Sequence, residues 1–451
     1  MKNHVLADDN IRKLLIKLSV PAMTGMLVMA LYNIVDTIFV GRGVGTLGIA
    51  GLSIVFPVQM IVLAIGQMFG IGSASVISRS LGEGDVAKAN RVLATIFVFT
   101  LIISAIITSL ALIFIDPLLR LFGATEAIFP YAKSYMGIII FGSVLFITAM
   151  TSNNIIRSEG QAKTAMLAMI IGAGLNIIFD PIFIFVFKMG VAGAAAASVL
   201  AQLIAVIYVI AFFQSGKSTL HFRWRSFCLD FSIFWEVVKI GFSSFTRHVA
   251  GSIVFIIVNN TLAIFGGDLA IAAYGIIIRF LRLIFMPIFG IAQGMQPIVG
   301  YNYGAKRPGK ILAVLKIALI YSSIVSIFGL LLIQLFPHFF ISIFSADEEL
   351  IIIGAKALRI MTLAIPIVGF QIIGATMFQA LGKALPALFL SMSREILLLI
   401  PMVLLLPKFW GVTGVWAASP LSDLAAAVLS FLLLFKLVKK LKLIHQADIE
   451  G

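Results

Sequence analysis

Acidic residues are scarce in this chain. There are 19 Asp and Glu among 451 residues, against 33 Lys and Arg, and only 12% of positions carry any charge. Ordinary soluble domains carry about 25% charged residues, so a normal water-facing surface is excluded. The one cysteine, Cys228, rules out an internal disulfide and any multi-cysteine metal centre. No GxxxxGK[ST] segment occurs, which excludes a P-loop driven by ATP. The alternating segments of about ten residues that mark a membrane β-barrel are also missing. The start, MKNHVLADDNIRKLL, is polar and amphipathic, and the apolar run behind it is too long for a signal peptide and lacks an A-x-A site. It reads as a retained first span.

What the chain has in quantity is apolar surface, 61% of residues with mean hydropathy +1.13. Its apolar runs repeatedly exceed the roughly 20 residues that cross about 30 Å of hydrocarbon. Twelve α-helical spans are predicted, at about 15–41, 49–78, 91–115, 127–156, 164–187, 191–214, 232–264, 269–299, 311–336, 350–380, 384–407 and 411–435. Pro21, Pro57, Pro181, Pro287, Pro297, Pro366 and Pro401 lie in or near spans, where each removes a backbone hydrogen bond and can kink the helix. Lys and Arg crowd the loops of one side, with Lys88, Arg91, Lys217, Arg223, Arg225, Lys306, Arg307 and Lys310 among them. By the positive-inside rule that side is cytoplasmic, and both termini lie there. The net charge of +14 is therefore topological, and nucleic-acid binding is not expected.

The spans form an internal repeat. Leu47-Gly48-Ile49-Ala50 matches Leu269-Ala270-Ile271-Ala272, and Gly72, Gly82 and Lys88 match Gly294, Gly304 and Lys310, at an offset of 222 (294 − 72). Gly190-Val191-Ala192-Gly193 matches Gly411-Val412-Thr413-Gly414 at 221 (411 − 190). Six spans per repeat is even, so the halves share one orientation and are related by an axis along the membrane normal. The expected fold is an all-α polytopic membrane protein with two six-helix bundles, an N-terminal lobe over 1–214 and a C-terminal lobe over 232–451. A cytoplasmic linker over 215–231 (QSGKSTLHFRWRSFCLD from Gln214) joins them. Such an arrangement suits a rocking transporter with a central cleft.

Polar residues inside the spans carry the chemistry. Asp36 lies in LYNIVDTIFVGRG, and a carboxylate within a span costs roughly 2.5–3.5 kcal/mol, which makes it rare and usually functional. Met29, Tyr32 and Asn33 share its helix face. A second acid stands in NIIFDP, where Asn176 and Asp180 are i,i+4 and Met169 joins their face. Counted at 1.5 Å per residue from Arg42 and Lys188, both carboxylates fall roughly 10 Å below the outer boundary. Ser198 lands at similar depth on a third span. Two carboxylates in a poorly solvated cavity repel, so the pair can take up a proton or hold Na⁺ among carboxylate, amide and hydroxyl oxygens. The competing reading is a structural Asp that hydrogen-bonds a neighbouring helix.

At these residues the sequence resembles the multidrug and toxic compound extrusion (MATE) antiporters of bacterial and archaeal type. YNIVDTIFVG, NIIFDP, Gln293–Ala305 (QGMQPIVGYNYGA) and the six-plus-six repeat carry the likeness, which covers essentially the whole chain. The resemblance implies two lobes around a V-shaped cleft, and export of drug-like molecules driven by H⁺ or Na⁺. Carried over by residue, it implies a cation site at Asp36, Asn176, Asp180 and Ser198, where the family often has Thr. It implies substrate contacts at Pro21, Met29, Tyr32, Asn153 and Met169, with span 1 rearranging near Pro21. No enzyme activity, cofactor or metal beyond Na⁺ follows from it. The partners are a small-molecule substrate and the lipid bilayer, the location is the cytoplasmic (inner) membrane, and the chain acts as a monomer.

The second half departs from the sodium-coupled pattern. Span 7 offers Asn259 and Asn260, and span 10 has Gln371 but no acid at mid-span. Instead Arg247, Arg279, Arg282, Arg394, Glu395 and Asp423 lie at mid-span positions. They read either as a buried network in which Glu395 and Asp423 pair with two of the arginines, or as a pocket for an anionic part of the substrate. His248 beside Arg247 reads as a core histidine or as a group titrating near neutrality. The rival functions are a flippase for a lipid-linked anionic precursor and an exporter of an anionic metabolite.

Overall fold

The computed structural model describes residues 5–221, 229–344 and 347–450. Cys228, Arg223 and Arg225, in the expected linker, lie outside the described residues. All regular structure among the described residues is helical. The first repeat contains α1 (Ile11–Val44), α2 (Thr46–Glu83), α3 (Val86–Ile113), α4 (Ile115–Leu121), α5 (Phe129–Phe141), α6 (Ser143–Ser158), α7 (Ala162–Pro181) and α8 (Gly190–Gln214). The second contains α9 (Phe231–Phe265), α10 (Gly267–Gly304), α11 (Pro308–Leu335), α12 (Pro337–Ser342), α13 (Glu348–Thr362), α14 (Ile365–Ala380), α15 (Ala384–Met392), α16 (Ile400–Leu405) and α17 (Pro407–Glu450). Ten spans are continuous, and α5–α6 and α13–α14 each form one span bent by 49° and 48°. The second bend falls just before Pro366, whose missing N–H cannot continue the helix. Wide π-helical turns follow Pro181 (Ile182–Val186) and precede α16 (Ser393–Leu399).

Backbone conformation carries the repeat more clearly than side chains do. Positive φ recurs at Gly45 and Gly267, Gly84 and Lys306, Gly160 and Gly382, and Gly190 and Gly411. The first three pairs are offset by 222 (267 − 45) and the last by 221 (411 − 190), as in the sequence repeat. At the end of α2, Gly84 N–H meets Leu81 O (3.3 Å) and Asp85 N–H meets Ser80 O (2.9 Å). At the end of α10, Lys306 N–H meets Tyr303 O (3.1 Å) and Arg307 N–H meets Asn302 O (2.8 Å). These paired bonds close orphan carbonyls at both helix ends and need a left-handed residue. Gly411 likewise breaks α17 near its start (φ 55°, ψ −142°), so the last span begins after it, as the Gly-Val-Thr-Gly match implies. Short helices α4 and α12, unforeseen in the sequence, also repeat at 222 (337 − 115).

The chain divides into two compact units. Unit 1 is mainly Thr24–Gly241, and unit 2 is Ala7–Met23 with Phe242 onward. The changeovers fall inside α1 and α9, not in the linker, and close backbone packing explains where. Within unit 2, a Cβ on Gly290 would lie 2.2 Å from Met23 Cγ, and one on Gly294 2.3 Å from Ser19 Oγ. The first half of α1 therefore lies directly on α10. Within unit 1, a Cβ on Gly72 would lie 2.1 Å from Val237 O, and one on Gly241 1.9 Å from Met68 O, which seats the first half of α9 on α2. Ion pairs fix the same segments. Glu236 takes Arg79 (3.0 Å) and Lys88 (3.2 Å), and Asp9 takes Lys310 (2.5 Å). Lys88 and Lys310 are repeat mates.

The described part of the linker is tethered to unit 1. Glu159, 2% exposed at the end of α6, accepts from Ser218 Oγ (2.7 Å), Thr219 N (2.7 Å) and Leu220 N (3.2 Å). Burial pushes the Glu159 carboxyl up to about 7, against the pull of these donors.

Three outcomes test this architecture by thermal unfolding in detergent. Gly241→Ala forces a methyl into the Met68 carbonyl and should destabilise by about 1–3 kcal/mol. Gly251→Ala, a helical site with nothing within 4 Å of the added Cβ, should be neutral or stabilising by up to ~1 kcal/mol. Lys306→Gly should stabilise by up to ~1 kcal/mol, because φ 53° strains any residue with a Cβ.

Candidate functional site

Three helices of unit 1 deliver the acidic group. Asn176 and Asp180 sit one turn apart on α7, 2% and 0% exposed. Asn176 Nδ2 donates to Asp180 Oδ1 (3.3 Å) and to Ser198 Oγ on α8 (3.0 Å). Asp36 comes from α1, and its carboxyl lies within hydrogen-bonding reach of Asp180. Small residues set that approach. Gly25 admits Met169, with Sδ 2.8 Å from where a Cβ would be, and Gly43 admits Ile184, with Cγ2 at 2.2 Å. Phe39 and Phe185 pack edge to face at 6.3 Å. Asp36 and Asp180 are thus held between two contacts of α1, one on α7 and one on the wide turn after it.

The group is short of donors. Asp36 Oδ1, Asp180 Oδ2 and Asn176 Oδ1 are buried with no hydrogen-bond partner among the described residues. Buried polar atoms are normally satisfied, so three orphan acceptors in one cluster need an explanation. Two carboxyl groups in reach of each other are both acceptors, and no bond joins them unless a proton or a cation lies between. Tyr32 and Tyr135 are close enough to sense both acids, and Gln59 Nε2 donates to Tyr135 Oη (3.1 Å).

Other expected positions fall as follows. Tyr32 lies in electrostatic reach of the acidic group, Met169 packs on Gly25 about three turns of helix away from Asp180, and Met29 is half-buried on α1. Asn153 is 4% exposed and commits its Nδ2 to Ala165 O (2.6 Å), so it fastens α6 to α7. Pro21 is buried in the half of α1 that belongs to unit 2, so unit 1 does not gather it with the others. Tyr135 and Gln59 were not foreseen. A glutamine two residues after Pro57, inside a span, was the available signal, but no spacing pairs residues on different helices.

Unit 2 carries the basic group. A single arginine, Arg394, holds both acids, with Nε 2.5 Å from Asp423 Oδ1 and Nη1 3.5 Å from Glu395 Oε1. This corrects the expected network, in which two arginines share them. Gln371 Nε2 adds a bond to the Asp423 carbonyl (2.5 Å). Among the described residues Arg247, Arg279 and Arg282 have no carboxylate oxygen within the 4.0 Å of an ion pair. Arg247 lies over the Phe289 ring at 5.4 Å and points Nη2 at Ser244 Oγ (3.5 Å). Arg279 and Arg282 are exposed, in the middle of α10. Three guanidinium groups facing hydrocarbon would cost roughly 8–10 kcal/mol, as much as the stability of an ordinary domain. They face water or a counter-charge instead.

Described residues whose regular structure is all helical, with ten continuous and two bent apolar spans, an internal repeat and ionisable clusters inside the spans, define a multi-pass membrane transporter. The family model described as MatE matches residues 21–182 and 245–405, one stretch in each repeat. The chain belongs to the multidrug and toxic compound extrusion (MATE) family. It is 25% identical to the multidrug export protein MepA of Staphylococcus haemolyticus over 96% of this chain and 95% of that one. The structure of an outward-facing multidrug resistance MATE transporter of the MOP superfamily superposes with TM-score 0.92, at 28% identity over 97% and 98% of the two chains. A MOP-superfamily transporter from Pyrococcus furiosus, described as having a binding pocket of reversed polarity and a different function, superposes with TM-score 0.91 at 28% identity and the same coverage.

Asn176 is the hub of the acidic group, which gives a direct test. Asn176→Ala leaves Asp180 and Ser198 without their shared donor and should cost about 1–3 kcal/mol, read as a lower unfolding temperature in detergent. Ser198→Thr keeps the hydroxyl and should leave that temperature nearly unchanged.

Proposed function

We propose that this protein is a secondary transporter that exports amphipathic, drug-like molecules in exchange for H⁺ or Na⁺ taken up at Asp36, Asn176, Asp180 and Ser198. The single observation that supports this reading is the cluster of three buried oxygens without donors, two of them on neighbouring carboxyl groups. A proton shared by Asp36 and Asp180 removes the repulsion of two like charges. Na⁺ does the same through the carboxylate, amide and hydroxyl oxygens. Filled and empty sites therefore differ in burial cost, and that difference can bias which conformation is populated. Alternating access follows when one conformation opens the site to each side of the membrane.

The names of the staphylococcal relatives support a drug-like substrate class. Tyr32, near the acids, and Met169, farther along the same pair of helices, supply an aromatic face and an adaptable thioether. The Lys- and Arg-rich loops support an inner-membrane protein with both termini in the cytoplasm. In this reading the chain works as a monomer without a prosthetic group.

The test is efflux from proteoliposomes with ΔpH and ΔNa⁺ imposed separately. Asp36→Asn should insert normally and lose ion-driven efflux at least tenfold. Asp180→Asn should match it, and the double variant should be little worse than either, because the two act as one site. Wild-type efflux from Asp36→Asn overturns the coupling role.

A further inference from the structure

The basic group of unit 2 has more positive charge than its own acids neutralise. Arg247, Arg279, Arg282 and Arg394 stand against Glu395 and Asp423, a surplus of two charges (4 − 2). Both acids pair with Arg394, Asp423 is also fixed by Gln371, and Glu395 reaches Arg247 only as a longer-range attraction. Phe255 of α9 stacks on Tyr274 of α10 at 5.8 Å. Eight residues back along α9 (255 − 247) and eight on along α10 (282 − 274), at equal rise, bring Arg247 opposite Arg282, with His248 near both. Arg279 precedes Arg282 by three residues on the same helix and is close enough to repel it. Like charges brought together inside a span, with no ion-pair partner among the described residues, are what an anion would stabilise. Aromatic rings flank the arginines along these helices. Arg247 lies over Phe289, and Tyr274 is in electrostatic reach of Arg282.

We propose that unit 2 holds an organic-anion site in which Arg247 and Arg282 grip a carboxylate, sulfonate or phosphate group on an apolar molecule. Arg279 adds a third positive charge, and Phe289, under Arg247, meets the apolar body. Guanidinium forks suit planar and tetrahedral oxyanions, which is why arginine fits here better than lysine. The inference rests on the export reading only for the direction of transport, and names the substrate class that the export would carry.

The experiment is equilibrium binding to the full chain in nanodiscs of pure phosphatidylcholine, with no ion gradient. An anionic probe, 8-anilinonaphthalene-1-sulfonate, is compared with cationic ethidium. The sulfonate should bind saturably, and more weakly as salt rises. Arg247→Gln and Arg282→Gln should each weaken it at least tenfold, Arg282→Lys by less, and none should weaken ethidium binding. Wild-type protein gives a second measurement that depends on no variant: benzoate should displace the sulfonate, and benzylamine should not. Unchanged sulfonate affinity in both Gln variants, or equal displacement by benzoate and benzylamine, overturns the proposal. Adding phosphatidylglycerol to the discs assigns the natural source, since displacement marks a lipid headgroup and no displacement marks a soluble anion. Asp36→Asn separates this claim from ion coupling: sulfonate binding should survive where efflux is lost.

Discussion

Two carboxyl groups placed within reach of each other, away from bulk water, repel unless something positive lies between them, and the rest of unit 1 is arranged around that fact. Asp180 is fully buried and already has one oxygen on Asn176. Its other oxygen and one oxygen of Asp36 have no donor. The surrounding packing gives the pair no freedom to separate. Gly25 and Gly43 let α1 come close to Met169 and Ile184 on either side of the acids, and the proline after Asp180 opens a wide turn that carries Ile184 and Phe185 against α1. An unstable charge arrangement held by a rigid scaffold is a natural place to bind a small cation.

The same scaffold is built twice and loaded differently. Left-handed residues recur at a fixed offset through both halves, because helix ends of the same shape need the same backbone at the same places. The acids do not recur. At 222 residues from Asp36 and Asp180 stand Val258 and Met402, both apolar. Unit 2 has arginines instead, on helices whose shape matches those of unit 1. Repetition here conserves backbone geometry, which any compatible side chain can satisfy, and leaves the polarity of each half free to diverge.

Close helix crossing follows a similar rule. Gly72 and Gly241, and again Gly290 and Gly294, bring backbone against backbone or against a short side chain, with no space for a methyl group. In a membrane, apolar side chains gain little by leaving lipid, so small residues that allow such proximity do much of the packing. That is why the compact units change over within α1 and α9 at these glycines instead of in the polar linker. The linker has its own tether, a buried carboxylate that accepts from three consecutive residues.

Much of this was legible in one dimension. Span number, the repeat offset, the turn shared by Gly190 and Gly411 and the placing of Asn176 and Asp180 on one helix face all follow from hydropathy and spacing, since these are properties of single helices. What needed the folded chain was everything that depends on which helix lies beside which. The sequence could not show that Arg394 alone would take both Glu395 and Asp423, leaving three arginines without an acid. It could not show that Asn153 would be used to join two helices, or that Tyr135, held by Gln59, would come within electrostatic reach of the acids. Nor did it show that the first half of α1 packs with the second repeat. Residues far apart in the chain meet only through packing, and packing is decided by steric fit between whole surfaces, which no local pattern encodes.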